Sequence, residues 1–223
     1  MGRNRERDER ELAARKLRIV RAAFPIFAER TIEGVTMNEI AAACGMGVAT
    51  LYRHYPTKPE LVLAVATWAW QEYLEAERAA TPASGGTAAE GYAYFLELFV
   101  QMYRERRDLL RFNQFFNAYV QTEHIGGARM EPYMAVIASQ GERFQSLREK
   151  AEQDGTMRTN LPAQEIFATS LHLMLAAATR YAVGLVYRTG DPEQELELLR
   201  AMLLQRFTTP QGAGTLRIGE PIA

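Results

Sequence analysis

Residues 36–58 read TMNEIAAACGMGVATLYRHYPTK, and the reading of this stretch decides the fold. Thr36 and Glu39 stand three apart ahead of an apolar run, the spacing of a capping box. The Thr36 hydroxyl accepts from the amide of Glu39, and the Glu39 carboxylate reaches back. A short helix is expected to follow, with Ile40 inward and Ala41, Ala42 and Ala43 leaving room for a close crossing. Gly45 is suited to the left-handed conformation that ends it. A second short helix is expected from Gly47 to Tyr55, where Pro56 restricts its predecessor. Thr57 then caps a longer helix over 58–79, with Leu61, Val65, Trp68 and Leu74 among its buried positions. Two short helices joined by a glycine turn make a helix-turn-helix, whose second helix is built to lie in the major groove of DNA.

That use asks for hydroxyls and cations for phosphates, and for side chains that reach base edges. Leu51 and Met46 can face inward while Val48, Ala49, Thr50, Tyr52, Arg53 and His54 occupy the remaining faces. Free amides at the helix start near Gly47 favour an approaching phosphate.

Upstream, Glu9 to about Arg30 carries Leu12, Leu17, Val20, Phe24 and Phe27 at three- and four-residue steps, the period of an amphipathic helix. Pro25 removes one of its hydrogen bonds and should kink or loosen the last turn. Residues 1–60 hold 11 Lys/Arg against 8 Asp/Glu, whereas the remainder holds 15 against 19. Most of the basic excess lies in 2–21, GRNRERDERELAARKLRIVR. Two readings stay open: a frayed leader of mixed charge, or an arm that meets a polyanion once the following domain docks.

The order T-x-x-x-I-A-x-x-x-G-x-G-x-x-T-L-Y-R-H-Y-x-x-K-x-x-L resembles the signature of the tetracycline-repressor (TetR) family of bacterial regulators. Thr36, Ile40, Ala41, Gly45, Gly47, Thr50, Leu51, Tyr52, Arg53, His54, Tyr55, Lys58 and Leu61 carry it. The motif covers roughly residues 10–62; beyond it, helical pattern and length match. Gly47 stands where the family often has serine, and Pro25 is unusual in the first helix. The resemblance implies DNA contacts from Thr36, Asn38, Gly47, Val48, Ala49, Thr50, Tyr52, Arg53, His54 and Lys58. Thr36 and Tyr52 would offer hydroxyls to phosphates, Lys58 a charge, and Val48 and Ala49 apolar contact to a thymine methyl. Arg53 or His54 would read a guanine or clamp a phosphate. Against this, Tyr55 is read as packing the small domain, and Cys44 as a small buried hydrophobe.

The larger part is also helical. It contains two aromatic-rich segments over 88–119, a loop at 121–131, a helix to about Gln153, an apolar run at 166–187, and a last helix from Pro192. The expected class is all-α: a three-helix DNA-binding domain with its arm (1–57), a connecting helix (58–80), a larger ligand-binding and dimerisation domain (81–207), and a flexible tail (208–223). The 166–187 run is apolar nearly all round, which a two-layer monomer leaves partly unburied. Leu173, Ala177, Tyr181, Gly184, Leu196, Leu199 and Leu203 are the candidate face for a second copy. The family resemblance likewise implies a four-helix homodimer, matching a palindromic double-stranded operator with half-sites about 34–36 Å apart.

Phe95, Phe99, Met102, Phe112, Phe115, Phe116, Tyr119, His172 and Leu175 are the candidate lining for a small hydrophobic or aromatic effector, with Asn113, Gln114 or His124 as further polar anchors. An aromatic stripe at helical spacing is also what plain core looks like, and His172 on an apolar helix also reads as a core histidine. No cofactor is expected, and the three histidines and one cysteine show no metal-ligand spacing. No nucleophile, histidine and orienting partner come together, nor does a phosphate-cradling glycine loop, so catalysis is not expected. One cysteine suits a reducing cytoplasm. The charged N-terminus is unlike a secretory signal, and no apolar run reads as long enough to span a bilayer.

Overall fold

A computed structural model of the chain describes residues 2–80, 86–185 and 190–216, with side chains described for all of these except 2–6, 80 and 139–143. The described residues form α1 (Gly2–Glu29), α2 (Met37–Ala43), α3 (Val48–His54), α4 (Lys58–Ala80), α5 (Ala88–Glu105) and α6 (Arg107–Thr122). A 3₁₀ turn (Gly127–Met130) leads to α7 (Glu131–Asp154), α8 (Ala163–Val183), α9 (Pro192–Phe207) and α10 (Pro210–Thr215). A single isolated bridge, Met157 to Thr208, is the β-type pairing among the described residues. The class is all-α, as the periodicity predicts. Parts of the joint at 81–87, of the apolar run at 166–187 and of the tail lie outside the described residues.

Two compact units emerge. Met1–Ala80 joins Arg111–Val136 in the first, and Thr81–Leu110 joins Ile137–Ala223 in the second. This differs from a division at 80/81, because part of α6 and the start of α7 belong with the first unit. The aromatic packing explains why. Phe24 of α1 meets Trp68 of α4 and Phe112 of α6 at ring centroids of 5.7 and 5.4 Å, and Phe116 meets Tyr133 at 4.9 Å.

Within the first unit α1 packs on α2 and α4, and α2 on α3. Ile19, Ala23, Phe27, Ile32, Ile40, Leu51, Leu61, Val62 and Val65 are fully buried and form the centre. Helix α1 begins earlier than the sequence suggests and runs through Pro25 to Glu29 without ending. Pro25 lies on the exposed side, where the carbonyl it leaves unpaired can be hydrated, so its cost is contained. Of the three alanines in α2, Ala41 alone is buried; Ala42 and Ala43 face solvent.

In the second unit α5 packs against α8, α9 and α10, and α8 against α9. Tyr92, Phe95, Phe99, Phe144, Phe167 and Phe207 form one ring cluster with neighbouring centroids 5.3 to 6.4 Å apart. Buried Tyr92 pairs its hydroxyl with Ser170 at 2.7 Å, and Ser170 also donates to the Ile166 carbonyl. Within the tail read from sequence as flexible over 208–223, Pro210–Thr215 form α10, and 217–223 lie outside the described residues. Thr209 caps α10 by accepting from Gly212 N. The Thr209 amide donates to the Thr156 carbonyl at 3.0 Å and its hydroxyl to the Gly155 carbonyl at 2.8 Å. Any side chain at Gly212 would collide with the Thr156 carbonyl, so glycine is required by close approach. Asp154 accepts from Ala88 N, Thr156 N and the Thr156 hydroxyl, and the Thr156 hydroxyl accepts from Ala89 N, which ties the start of α5 to the same knot.

Helix α8 is long and apolar enough, by length and composition, to cross a membrane, where the sequence reading found no such run. Its packing gives another account of that apolarity. Ile166, Phe167, Met174, Ala178 and Ala182 are buried in the unit, while Thr169, His172, Leu173, Ala176, Arg180 and Val183 are exposed along the other side.

Candidate nucleic-acid interface

Thr36 takes an extended conformation ahead of α2 and forms the capping box in both directions with Glu39. Glu39 N donates to the Thr36 hydroxyl at 3.2 Å, and Thr36 N donates to the Glu39 carboxylate at 2.7 Å. The Thr36 hydroxyl also donates to that carboxylate at 2.8 Å. Arg30 clamps the same group: one of its guanidinium nitrogens donates to Glu39 at 2.6 Å and the other to the Gly34 carbonyl at 2.8 Å. The Arg30 bond first, then those from Thr36, pull the Glu39 carboxyl down to about 2, so it is ionised in any ordinary buffer. Arg30 was not singled out from sequence. Nothing in a nine-residue separation across a turn announces such a pair.

Gly45 has φ +64°, and its N–H donates to the Ala42 carbonyl as α2 ends. Gly47 is the N-cap of α3, with φ −71° and ψ 145°, and offers no side-chain cap. Leu51 is fully buried and anchors α3 to the unit. Ala49, Tyr52 and Arg53 are exposed, Tyr52 at 45% despite its size. Val48, Thr50 and His54 are half-buried, and Asn38 on α2 is exposed. Arg53 donates to the Thr50 hydroxyl at 3.0 Å, which fixes the two side chains relative to each other. Tyr55 is buried, as the packing reading has it. Its hydroxyl points to the Lys16 carbonyl at 3.5 Å, Lys16 Nζ lies 5.9 Å from its ring centre, and burial pushes it up to about 12. Half-buried Cys44 has its thiol pushed up by burial, against the pull of the Arg18 charge.

Two expected phosphate contacts are already engaged. The Thr36 hydroxyl proton is committed to Glu39. Lys58 Nζ donates to the Glu33 carbonyl at 3.2 Å and sits 5.6 Å from the Tyr119 ring centre. Partial burial pulls the Lys58 ammonium down, opposed by Glu33, Glu123 and Glu39. Exposed Asn38, Ala49, Tyr52 and Arg53, with the α3 start at Gly47, form the accessible surface.

The nine effector candidates are divided. Phe112, Phe115, Phe116 and Tyr119 belong to the first unit; Phe95, Phe99, Met102, His172 and Leu175 belong to the second. Phe112, Phe116, Tyr119, Phe99 and Met102 are buried, and Phe95, Phe115 and Leu175 half-buried. His172 is exposed, so it is not a core histidine. His124 takes a left-handed conformation, with Nδ1 2.9 Å from the Gln121 carbonyl oxygen. Buried Asn113 and exposed Gln114 fall in the first unit.

The pairing-face candidates divide by register. Leu173 and Gly184 are exposed, and Ala177, Tyr181 and Leu199 half-buried, with Tyr181 donating to Glu195. Leu196 and Leu203 are instead buried in their own unit at 0% and 5% exposure. The large exposed apolar residues of α9 are Leu198 and Met202, at 63% and 58%.

A buried-centred bundle of α1, α2 and α3 with a glycine turn between α2 and α3 defines a helix-turn-helix protein. Residues 19–65 match the family model described as "Bacterial regulatory proteins, tetR family". An HTH-type transcriptional regulator of Staphylococcus aureus (strain bovine RF122 / ET3-1) is 42% identical over 48 residues, 22% of this chain and 26% of the relative. The match thus spans about a quarter of that relative's length. A putative transcriptional regulator from Saccharomonospora viridis, solved in complex with choline, shares the fold at TM-score 0.70 and 18% identity, over 88% of this chain and 99% of that one. AibR, solved in complex with isovaleryl coenzyme A and operator DNA, does so at TM-score 0.62 and 20% identity, over 85% and 98%. Residues 19–65 thus carry a DNA-binding domain of the TetR type of bacterial regulatory proteins, and the remainder of the chain shares the fold of such regulators.

Proposed function

We propose that the protein is a cytoplasmic transcriptional regulator, acting as a repressor, that binds a palindromic operator as a homodimer and is released by a small, mostly apolar molecule. The observation that carries the DNA-binding part is the exposed face of α3. Tyr52 and Arg53 stand out from a helix held by buried Leu51, whose N-cap Gly47 makes no side-chain bond. Large exposed aromatic and cationic side chains on a rigid short helix suit phosphate and base-edge contact.

The homodimer reading rests on the second unit. Leu173, Leu198 and Met202 stay exposed on α8 and α9, and Leu173, Leu199 and Met202 border a groove of about 620 Å³. A copy related by a two-fold axis would cover this face with its own equivalent. The effector reading draws support from the ring cluster around half-buried Phe95 and from relatives solved with choline and with isovaleryl coenzyme A. A ligand with different affinity for two dimer states would shift their populations; about 1–3 kcal/mol of coupling gives roughly 5–150-fold in operator affinity.

The test is selection of duplexes from a randomised pool by the full-length protein, followed by fluorescence anisotropy. A two-fold symmetric consensus bound by a dimer is expected, with affinity lost in Tyr52→Phe and Arg53→Ala variants of unchanged melting temperature. Enrichment of no consensus overturns the reading.

A further inference from the structure

Among the described side chains, the N-terminal half of α1 buries none. Every side chain from Arg7 to Arg18 is exposed, and burial starts abruptly at Ile19. A helix of this kind gains nothing from a core, so its composition answers to something else. Residues 2–18 carry seven Lys/Arg against four Asp/Glu. Arg7, Arg10, Arg18 and Arg21 recur at helical spacing on one side, opposite the side that buries Val20, Ala23 and Phe27. Arg7 pairs with Glu11 at 2.9 Å, and Arg21 with Glu72 at 3.0 Å. Arg10, Arg15 and Arg18 make no ion pair among the described residues.

The root of this helix is fixed beside the reading element. Lys16 touches Tyr55, the residue that closes α3, and the Arg18 charge reaches Cys44, which closes α2. The helix therefore leaves the unit from the neighbourhood of both ends of the turn and α3. From Gly2 to Arg15 it is 14 residues long, which at about 1.5 Å per residue gives a reach of roughly 21 Å, or about six base-pair steps of duplex.

We propose that residues 2–18 of α1 are a second DNA-contacting element, a cationic arm whose Arg10, Arg15 and Arg18 neutralise phosphates beside the operator. This rests on the DNA-binding reading above and extends it. The arm would add affinity without reading sequence, because it presents guanidinium charge to the backbone and not to base edges. A membrane surface would present comparable anions, and the footprint below distinguishes the two.

The experiment compares the full-length protein with a triple variant, Arg10→Ala, Arg15→Ala, Arg18→Ala, on a 40-base-pair duplex enriched by the wild type and on poly(dI-dC). Each phosphate contact contributes about 0.9 to the slope of log K against log salt. The triple variant is expected to bind both duplexes with a slope shallower by about 2.7 per protomer, or about 5.4 for the dimer, to keep the wild-type consensus, and to melt at the wild-type temperature. Lysine at all three positions should restore the slope. Hydroxyl-radical footprints should shorten by up to about six base pairs per half-site. An unchanged slope and footprint in the alanine variant, while the wild type still binds its consensus, overturns the arm and leaves the helix-turn-helix reading standing. A wild type that enriches no consensus overturns both.

Discussion

Leu196 and Leu198 of α9 sit two positions apart and are assigned opposite duties, so a pair of alanine substitutions tests the pairing face directly. Leu198 is 63% exposed. Complete burial of a leucine side chain is worth about 1.5–3 kcal/mol, so covering the remainder in a dimer contributes roughly 1–2 kcal/mol. Alanine forfeits most of that, about 1–1.5 kcal/mol per copy. A two-fold interface counts the loss twice, giving about 2–3 kcal/mol and a dimer dissociation constant weaker by roughly 30–150-fold. The melting temperature of the protomer should hardly move. Leu196 is 0% exposed, and Leu196→Ala should instead cost about 2–5 kcal/mol of protomer stability through the cavity it leaves. Sedimentation equilibrium reads the first effect and thermal unfolding at low protein concentration reads the second. A dimer constant untouched by Leu198→Ala, or an unfolding transition untouched by Leu196→Ala, refutes the register drawn for α9.

Other outcomes follow from the first unit. Gly47→Ser meets no neighbour within 4 Å and supplies the missing cap of α3, so stability should rise by a few tenths of a kcal/mol, roughly 1 °C in melting temperature. Lys58→Ala should lower melting as well as DNA affinity, by about 1–2 kcal/mol, because its ammonium bonds the Glu33 carbonyl and faces the Tyr119 ring, whereas Tyr52→Phe should leave melting alone. Tyr55, Tyr119 and Tyr133 are each pushed up to about 12 by burial, Tyr119 also by Glu123 and Glu33. Their neutral forms favour the folded state, so stability present below pH 10 should be lost as pH rises towards about 12, and Tyr55→Phe should remove part of that dependence in pH-scanned calorimetry.

The reading segment was legible because its signals are local. A threonine and a glutamate three apart, a glycine after an alanine run and a proline after an aromatic dipeptide each act within one helical turn. Leu51 inward and Tyr52 outward follow from the same register. What periodicity could not supply is which apolar side of a helix meets its own unit. Helix α9 carries Leu196, Leu198, Leu199, Met202, Leu203 and Leu204, and such a nearly continuous apolar surface names no inward face. The same holds for the rings of α5 and α6, alike in sequence yet divided between two units, because that choice depends on partners far along the chain. Lys58 illustrates a third limit. Its identity fits a phosphate contact, but the Glu33 carbonyl and the Tyr119 ring that occupy it are 25 and 61 residues away. In the tail, glycine and proline suggest flexibility, yet Thr209 and Pro210 are also good starters of a short helix, and 210–215 take it.

The knot at Asp154, Thr156 and Gly212 has a consequence for the order in which the second unit can be completed during synthesis. Its clasp on the start of α5 recruits residues that the ribosome makes late: Thr87 and Thr215, whose hydroxyls lie 3.4 Å apart, are separated by 128 positions. Until Thr209 has left the exit tunnel, the Thr156 carbonyl lacks its amide partner, and beyond its own Thr87–Glu90 capping box the α5 start is tied down by Asp154 and the Thr156 hydroxyl. A nascent chain paused before that point would carry an assembled reading head on a half-closed body, a state in which chaperone capture and premature proteolysis have their best opportunity.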